Sequence, residues 1–165
     1  MGENLTVDAF LKLLEEVADR VRRAGFSEAF IIHHDEADGV CSAAITAKAL
    51  SRTGLNFKTI CLDKLYPEVL KGVYARGEGL YFFTDIGSAH VKLIEKDAPK
   101  GSLTVILDHH DTLQSSRTDV LNVNPELYGL SGERDASAST VAYLFAKTLS
   151  SVNLDLSALA LIGAA

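Results

Sequence analysis

The sequence contains no hydrophobic stretch long enough to cross a membrane. Its apolar runs fall well short of the ~20 residues that a membrane-spanning helix requires. The N-terminus also lacks the basic segment followed by an apolar one that marks a secretory signal. The 165 residues are 47% hydrophobic and 23% charged, which is ordinary for a globular domain with a real core. These absences predict a cytoplasmic protein with no membrane partner.

Cysteine is scarce. The two cysteines, Cys41 and Cys61, form no C-x-x-C pair. Both stand among apolar residues, where a reduced and buried thiol is the usual state. The sequence therefore predicts neither a disulfide nor a cysteine-bound zinc.

The chain also lacks an excess of positive charge, since 16 lysines and arginines face 22 aspartates and glutamates and the net charge is −6. Nucleic-acid-binding domains usually carry a basic footprint, so a dedicated nucleic-acid surface is not expected here. A phosphodiester substrate remains compatible with this balance, because bound divalent cations offset a local cluster of acids.

What the sequence does contain is a polar stretch from Ile31 to Ser42, IIHHDEADGVCS, between an apolar run and an Ala-rich segment of helical character. In an extended chain alternate side chains fall on one side, so His34, Glu36 and Asp38 would share a face. One imidazole and two carboxylates suit a divalent cation that accepts mixed nitrogen and oxygen ligands, such as Mn²⁺. The alternative is that Asp38 caps the following helix and the rest is a polar loop.

Two later apolar segments also end in acids or imidazoles. Asp85 follows one of them, and Asp108, His109 and His110 follow the other. In an open α/β sheet the carboxyl ends of the strands line one crevice, where ligands bind. Three coincidences at one edge favour a shared metal site over three separate helix caps. Asp85, on a strand of its own, is the expected bridge between two cations.

The remaining pattern alternates strands and helices, which predicts an α/β fold with an open, mainly parallel sheet and helices on both faces. The expected strands are 29–33, 56–62, 80–84, 103–107 and 120–123. The expected helices are 6–24 with Thr6 as N-cap, 39–52, a short one from Pro67, one capped by Ser88, and one that opens at 137–140 and ends at Leu149. Residues 112–118 are expected to form a mobile loop over the crevice, in which Arg117 is either a plain exposed arginine or a phosphate contact.

Three stretches of this chain resemble the first three motifs of the DHH phosphoesterase superfamily, in particular of archaeal RecJ-type proteins such as the GINS-associated nuclease: His34-x-Glu36-x-Asp38-Gly39, Asp85 and Asp108-His109-His110. The resemblance covers essentially the whole chain. Glu36 and Asp38 are expected to bind different cations, and His34 is expected to be either a ligand or a polar wall. Glu36 is also a departure, because the family usually has aspartate there. Its extra methylene is expected to retune or weaken metal binding.

The resemblance implies a site for two Mn²⁺ ions, with Mg²⁺ as the alternative metal. It implies that His109 is a metal ligand and that His110 lies nearer the scissile phosphate. Asp108 is then expected to ligate a cation or to orient a histidine. His110 and Asp108 are the expected catalytic pair.

Residues 1–165 are therefore expected to form the DHH catalytic domain, incomplete at its C-terminus. The last segment, Ser157 to Ala165, is apolar and rich in small residues, with no polar stop. The resemblance implies a fourth metal-binding aspartate shortly after such a segment and a C-terminal substrate-binding domain, and this chain contains neither. For that reason the chain alone is expected to be weakly active or inactive.

The expected function is metal-dependent phosphodiester hydrolysis by a RecJ-like exonuclease, specific for single-stranded DNA or RNA, in DNA replication or repair. Two alternatives stay open. One is a weakly active or inactive scaffold that binds the GINS complex in the archaeal replicative helicase. The other is a phosphoesterase for small substrates, such as short oligonucleotides or cyclic dinucleotides, which fits the acidic composition.

Overall fold

A five-stranded parallel sheet forms the centre of the protein. The computed structural model describes the backbone of residues 2–165 and the side chains from Thr6 onward. In the sheet order β2-β1-β3-β4-β5 all neighbours are parallel. The strands are β1 (Glu28–His34), β2 (Asn56–Leu62), β3 (Leu80–Thr84), β4 (Leu103–Leu107) and β5 (Val120–Val123). Each expected strand agrees with these bounds to within one residue at either end, and the expected sheet is confirmed.

Within residues 2–165, six α-helices cover the two faces of the sheet: α1 (Gly2–Arg23), α2 (Ala37–Arg52), α3 (Pro67–Tyr74), α4 (Val91–Asp97), α5 (Ala138–Leu149) and α6 (Ser157–Gly163). Short 3-10 turns lie at Ser88–His90, Pro125–Tyr128 and Ser151–Leu156. Helices α1, α2, α5 and α6 pack on one face, and α3 and α4 pack on the other. None of the helices in this described part combines the length and hydrophobicity needed to cross a membrane.

The central strand β3 and its neighbour β4 are buried along their whole length. Because successive side chains of a strand point to opposite faces, each strand contributes to both apolar layers. Phe82 and Val105 join the layer under α1 and α5, whereas Phe83 and Ile106 join the layer under α3 and α4. A strand buried on both faces is continuously apolar in sequence, which explains why these two strands were predictable.

Three local predictions are wrong. Helix α1 begins at Gly2, so Thr6 lies inside it and is not the N-cap. Ser88 belongs to a 3-10 turn and its hydroxyl bonds to Asn122 instead of capping a helix. Cys41 is buried as expected, but Cys61 is exposed, because β2 is an edge strand that is covered only in part.

The turn from β1 into α2 also differs from the prediction. Helix α2 begins at Ala37 rather than at Gly39, so the chain is no longer extended when it reaches Asp38. A Cβ added to Gly39 would collide with the carbonyl oxygen of His34. The helix can start this close to the end of β1 only because residue 39 has no side chain.

We expect the substitution Gly39→Ala to lower the free energy of unfolding by about 1–3 kcal/mol, because the new methyl group overpacks the β1–α2 turn. Urea denaturation measures this change. Gly72→Ala is the matched control, since a Cβ at that position in α3 meets no heavy atom within 4 Å. It should leave the stability unchanged or raise it by up to about 1 kcal/mol. Equal stability of Gly39→Ala and the wild type would contradict the described turn.

Candidate metal centre

Asp85 lies at the centre of the predicted site. It directly follows β3 and is 5% exposed. Its backbone has a φ of 59°, in the left-handed region, which is unfavourable by about 1–2 kcal/mol for a residue with a side chain. Within the described part of the chain, its buried Oδ1 has no hydrogen-bond partner. A buried carboxylate oxygen without a hydrogen bond is costly to the fold. Because the ring nitrogen Nε2 of His109 lies 3.4 Å away, this oxygen is also placed as a cation ligand would be.

His109 directs one ring nitrogen at Asp85 and Asp38. Its Nδ1 lies 2.7 Å from the carbonyl oxygen of Gly132, which only accepts hydrogen bonds, so Nδ1 carries the proton. Its Nε2 lies 3.4 Å from Asp85 Oδ1 and 3.6 Å from Asp38 Oδ2. The Asp85 carboxylate is the main cause that raises the pKa of His109 to about 9. A cation bound between these groups would replace the proton on Nε2.

Asp38 is held in place by a helix that is remote in sequence. Its two carboxylate oxygens accept hydrogen bonds of 2.8 Å from the backbone N–H groups of Ala138 and Ser139, in the first turn of α5. Asp38 therefore interacts with the N-terminus of α5, where a negative charge is favoured. The sequence offered the alternative that Asp38 caps the helix that follows it, α2; the helix whose N-terminus it binds is instead α5. Burial is the main cause that raises the pKa of Asp85; the contact with His109 opposes this effect, and the carboxylate of Asp38 adds to it.

Asp108 orients the adjacent His110. Asp108 is buried, and its Oδ1 lies 2.7 Å from Nδ1 of His110. Its Oδ2 accepts the backbone N–H of Ser88 at 2.9 Å. Burial opposes ionisation of Asp108, but the hydrogen bonds outweigh it and lower its pKa. The side chain of His110 is 54% exposed, and its Nδ1 is 3.8 Å from Asp85 Oδ1. In this geometry Asp108 orients a histidine.

The two remaining predicted ligands lie in different surroundings. His34 Nδ1 is 3.8 Å from Asp85 Oδ2. The described part of the chain contains two groups whose potential ligand atoms lie within 4.8 Å of one another: Asp85, His109 and His110 form one, and His34, Asp35 and Asp63 form the other. Glu36 is exposed at the N-cap position of α2 and makes no capping hydrogen bond there. Asp63 is not among the site residues predicted from the sequence. It directly follows β2, so the rule that ligands bind at the carboxyl ends of parallel strands applies to it as well. In an extended chain the side chain of Asp35 would point to the opposite face from that of His34, but the chain turns into α2 at this point.

A crevice of about 380 Å³ opens beside these residues. His34, Asp85, Asp108 and His110 lie on its wall. The rest of the wall comes from the loops after β2 and β3, with Lys64, Leu65, Tyr66, Ile86 and His90 among its residues. The crevice therefore lies at the carboxyl edge of the sheet, where ligands of open α/β sheets bind.

The segment 112–118 is tied down by Glu95 of α4. Glu95 Oε1 accepts hydrogen bonds from the hydroxyls of Ser115 and Ser116, at 2.9 and 3.0 Å, and from the backbone N–H groups of Ser116 and Arg117. Arg117 itself pairs with Asp119 at 2.6 Å. The guanidinium of Arg117 therefore holds the loop instead of reaching toward a phosphate.

The family described as "DHH family, N-terminal domain" matches residues 28–164. The chain belongs to the DHH family. The expected family is thereby confirmed. An uncharacterized protein of Methanocaldococcus jannaschii is 32% identical over 139 residues, which are 81% of this chain and 31% of that protein.

Three solved structures share the fold of this DHH-family chain. Exonuclease RecJ bound to manganese aligns with a TM-score of 0.75 at 20% identity, over 91% of this chain and 42% of that one. RecJ of Thermus thermophilus in complex with Mn²⁺ gives 0.73 at 20% identity, over 92% and 24%. CDC45 of Entamoeba histolytica gives 0.70 at 22% identity, over 93% and 32%. The DHH-family chain thus spans less than half the length of each of these proteins.

We expect Glu95→Ala to lower the free energy of unfolding by about 1–3 kcal/mol, because several loop donors lose their acceptor. Burial opposes ionisation, but the hydrogen bonds from Lys92, Ser115 and Ser116 lower the pKa of Glu95 to about 2 from its usual 4.5. A lowered pKa means that this contribution is complete above pH 4.5 and is lost as the pH falls toward 2.

Urea denaturation at about pH 7 and at about pH 3 measures the effect of Glu95→Ala. The exposed Glu15 in α1 offers the control Glu15→Ala, which should change the stability by less than about 0.5 kcal/mol. The account of the loop is wrong if Glu95→Ala costs no more than Glu15→Ala, or if its cost does not shrink in acid.

We expect Asp85→Asn to fold and to lose Mn²⁺ binding, with an affinity lower by about 100-fold or more. Asparagine tolerates the left-handed backbone and keeps the shape of the side chain but not its charge. Thermal unfolding with and without Mn²⁺ reports the binding, because a ligand of the native state raises the Tm. Asp97→Asn is the matched control, since Asp97 also carries a buried and unpartnered carboxylate oxygen but is the last residue of α4, outside the candidate metal centre. A normal Mn²⁺-induced rise in Asp85→Asn would contradict the assigned centre.

Proposed function

We propose that this DHH-family chain hydrolyses phosphodiester bonds with two bound Mn²⁺ ions, or Mg²⁺ in their place, as a RecJ-like exonuclease on single-stranded DNA or RNA. The observation that carries the proposal is the position of His109 Nε2, which lies 3.4 Å from Asp85 Oδ1 and 3.6 Å from Asp38 Oδ2. Two ligands of one cation of this size lie about 3–4.2 Å apart. The donor set therefore fits a divalent metal that accepts nitrogen and oxygen ligands.

Asp85 is suited to bridge two cations. Its Oδ1 faces His109 and its Oδ2 faces His34, at 3.4 and 3.8 Å, so each carboxylate oxygen has a separate imidazole beside it. Asp38, Asp85 and His109 would hold one cation, and His34 and Asp85 would contribute to the second. A pair of cations in such a site activates a water molecule and stabilises charge on the phosphate oxygens.

His110 would contact the scissile phosphate. Its Nδ1 is engaged with Asp108 at 2.7 Å, which leaves Nε2 for the substrate. The same hydrogen bond raises the pKa of His110 and so favours the protonated imidazole. A protonated His110 can donate a hydrogen bond to a phosphate oxygen and hold a proton near the leaving group.

Electrostatic attraction of an anionic substrate has to come from the metal centre rather than from the acidic surface of the protein. With a net charge of −6, the chain repels a polyanion at long range, so bound cations must supply the attraction. This balance also supports the alternative of a small phosphoester substrate. The other alternative, a scaffold that binds GINS, does not require Asp38, Asp85 and His109 to lie close together. The observation that favours this alternative is the exposed position of Glu36.

The direct test is a Mn²⁺ titration of hydrolysis by the full-length protein, with a 5′-labelled single-stranded oligonucleotide as the substrate. We expect His110→Gln to lower kcat by about 100-fold or more, in line with the loss of a general acid–base group, and to keep its Mn²⁺ affinity. Asp85→Asn should lose both the activity and the Mn²⁺ affinity, and Asp97→Asn should behave as the wild type. Cleavage of dinucleotides alone would favour the small-substrate alternative. The exonuclease proposal fails if the wild type binds GINS tightly and hydrolyses neither substrate.

A further inference from the structure

A network of three buried polar side chains lies behind the metal centre: Ser88, Asn122 and Asn124. Ser88 follows the loop of Asp85, and the two asparagines belong to the end of β5. Burying amide and hydroxyl groups is unfavourable unless each finds a partner. All three side chains are hydrogen-bonded, so the network is an ordered element of this edge of the sheet.

Asn124 joins the loops after β3 and β4. Its Nδ2 donates to Ser88 Oγ at 2.8 Å and to the carbonyl oxygen of His110 at 2.9 Å. Its Oδ1 accepts the backbone N–H of Glu126 at 2.9 Å, which fixes the orientation of the amide. Both of its N–H groups are therefore used to tie the two loops that carry candidate site residues.

The direction of every bond in the network follows from Asn124. Because Ser88 Oγ accepts from Asn124, its own proton goes to Oδ1 of Asn122 at 3.2 Å. Asn122 must then donate, and it does so to Thr112 Oγ1 and to the carbonyl oxygen of Leu113, at 2.6 and 3.0 Å. Replacing the Asn124 amide with an acceptor would leave the network without its first donor.

The network also reaches the reactive side chains. The backbone N–H of Ser88 donates to Asp108 Oδ2 at 2.9 Å, and Asp108 Oδ1 lies 2.7 Å from His110 Nδ1. His110 is thus held at its carbonyl by Asn124 and at its ring by Asp108. Movement of the Ser88 loop would change the position of Asp85 relative to both histidines.

We propose that Asn124 is the positioning residue of the metal centre: by joining Ser88 to His110, it sets the separation between Asp85 and the imidazoles of His109 and His110. The proposal deepens, and rests on, the proposed function, because the groups it positions are the assigned metal and phosphate contacts. Outer groups that orient ligands change metal affinity by about 10–100-fold when they are removed.

Two substitutions and one matched control test this role. Asn124→Ala removes the amide, and Asn124→Asp keeps its size and its acceptor but removes both donors, which covers the case that Asn124→Ala does not fold. Asn153→Ala is the control. Asn153 is equally buried and donates to the carbonyl oxygen of Ala146 at 2.8 Å, in contact with α5 and remote from the crevice.

The readout is Mn²⁺ affinity, measured from the loss of the free-ion electron paramagnetic resonance signal, together with the Tm. Both Asn124 variants should bind Mn²⁺ about 10–100-fold more weakly, whereas Asn153→Ala should lower the Tm and leave the affinity within about twofold. Affinities of both Asn124 variants within twofold of that of Asn153→Ala would overturn the proposal.

A second measurement separates this proposal from the proposed function. In the protein without added metal, the ring resonances of His109 and His110 should move in both Asn124 variants and stay unchanged in Asn153→Ala. If the wild type binds no Mn²⁺ but these resonances move, the positioning role stands and the proposed function fails. Unchanged resonances in both Asn124 variants would overturn the positioning role itself.

Discussion

A buried carboxylate oxygen with no hydrogen-bond donor is the feature on which the rest of this structure depends. Asp85 carries such an oxygen, and, unlike Asp97, it also has a left-handed backbone, with a φ of 59°. Each feature is unfavourable alone, and together they persist only because the surrounding strands leave the chain no other path. A divalent cation between Asp85, Asp38 and His109 would offset both, so the cost to the fold and the proposed chemistry have one explanation.

The parallel sheet is what makes this arrangement possible. Strands β1, β3 and β4 are neighbours in the sheet, although long helical crossovers separate them in sequence. Because parallel strands end at the same edge, each delivers its polar residues to one crevice. Two further elements then fix the details: the N-terminus of α5 holds Asp38, and Asn124 at the end of β5 holds the loop of His110.

Most of the fold could be predicted from the sequence because buried strands and amphipathic helices have strong local patterns. The convergence of Asp38, Asp85 and His109 followed from the rule of strand carboxyl ends. The anchoring of Asp38 could not be predicted, since its donors at Ala138 and Ser139 come from a helix packed against α2 a hundred residues later. An extended row through Asp38 was wrong because α2 starts at Ala37. Tertiary packing, rather than any local signal, decides such contacts.

The central claim is that the first turn of α2 and the ends of β3 and β4 place Asp38, Asp85 and His109 around one divalent cation. Diffraction from crystals of the protein soaked in Mn²⁺, recorded with the anomalous signal of manganese, tests this claim most directly. The account predicts an anomalous peak at a metal–ligand distance of about 2–2.5 Å from Asp38 Oδ2, Asp85 Oδ1 and His109 Nε2. A peak elsewhere in the molecule, or a fully bound site that does not include Asp85, would contradict it.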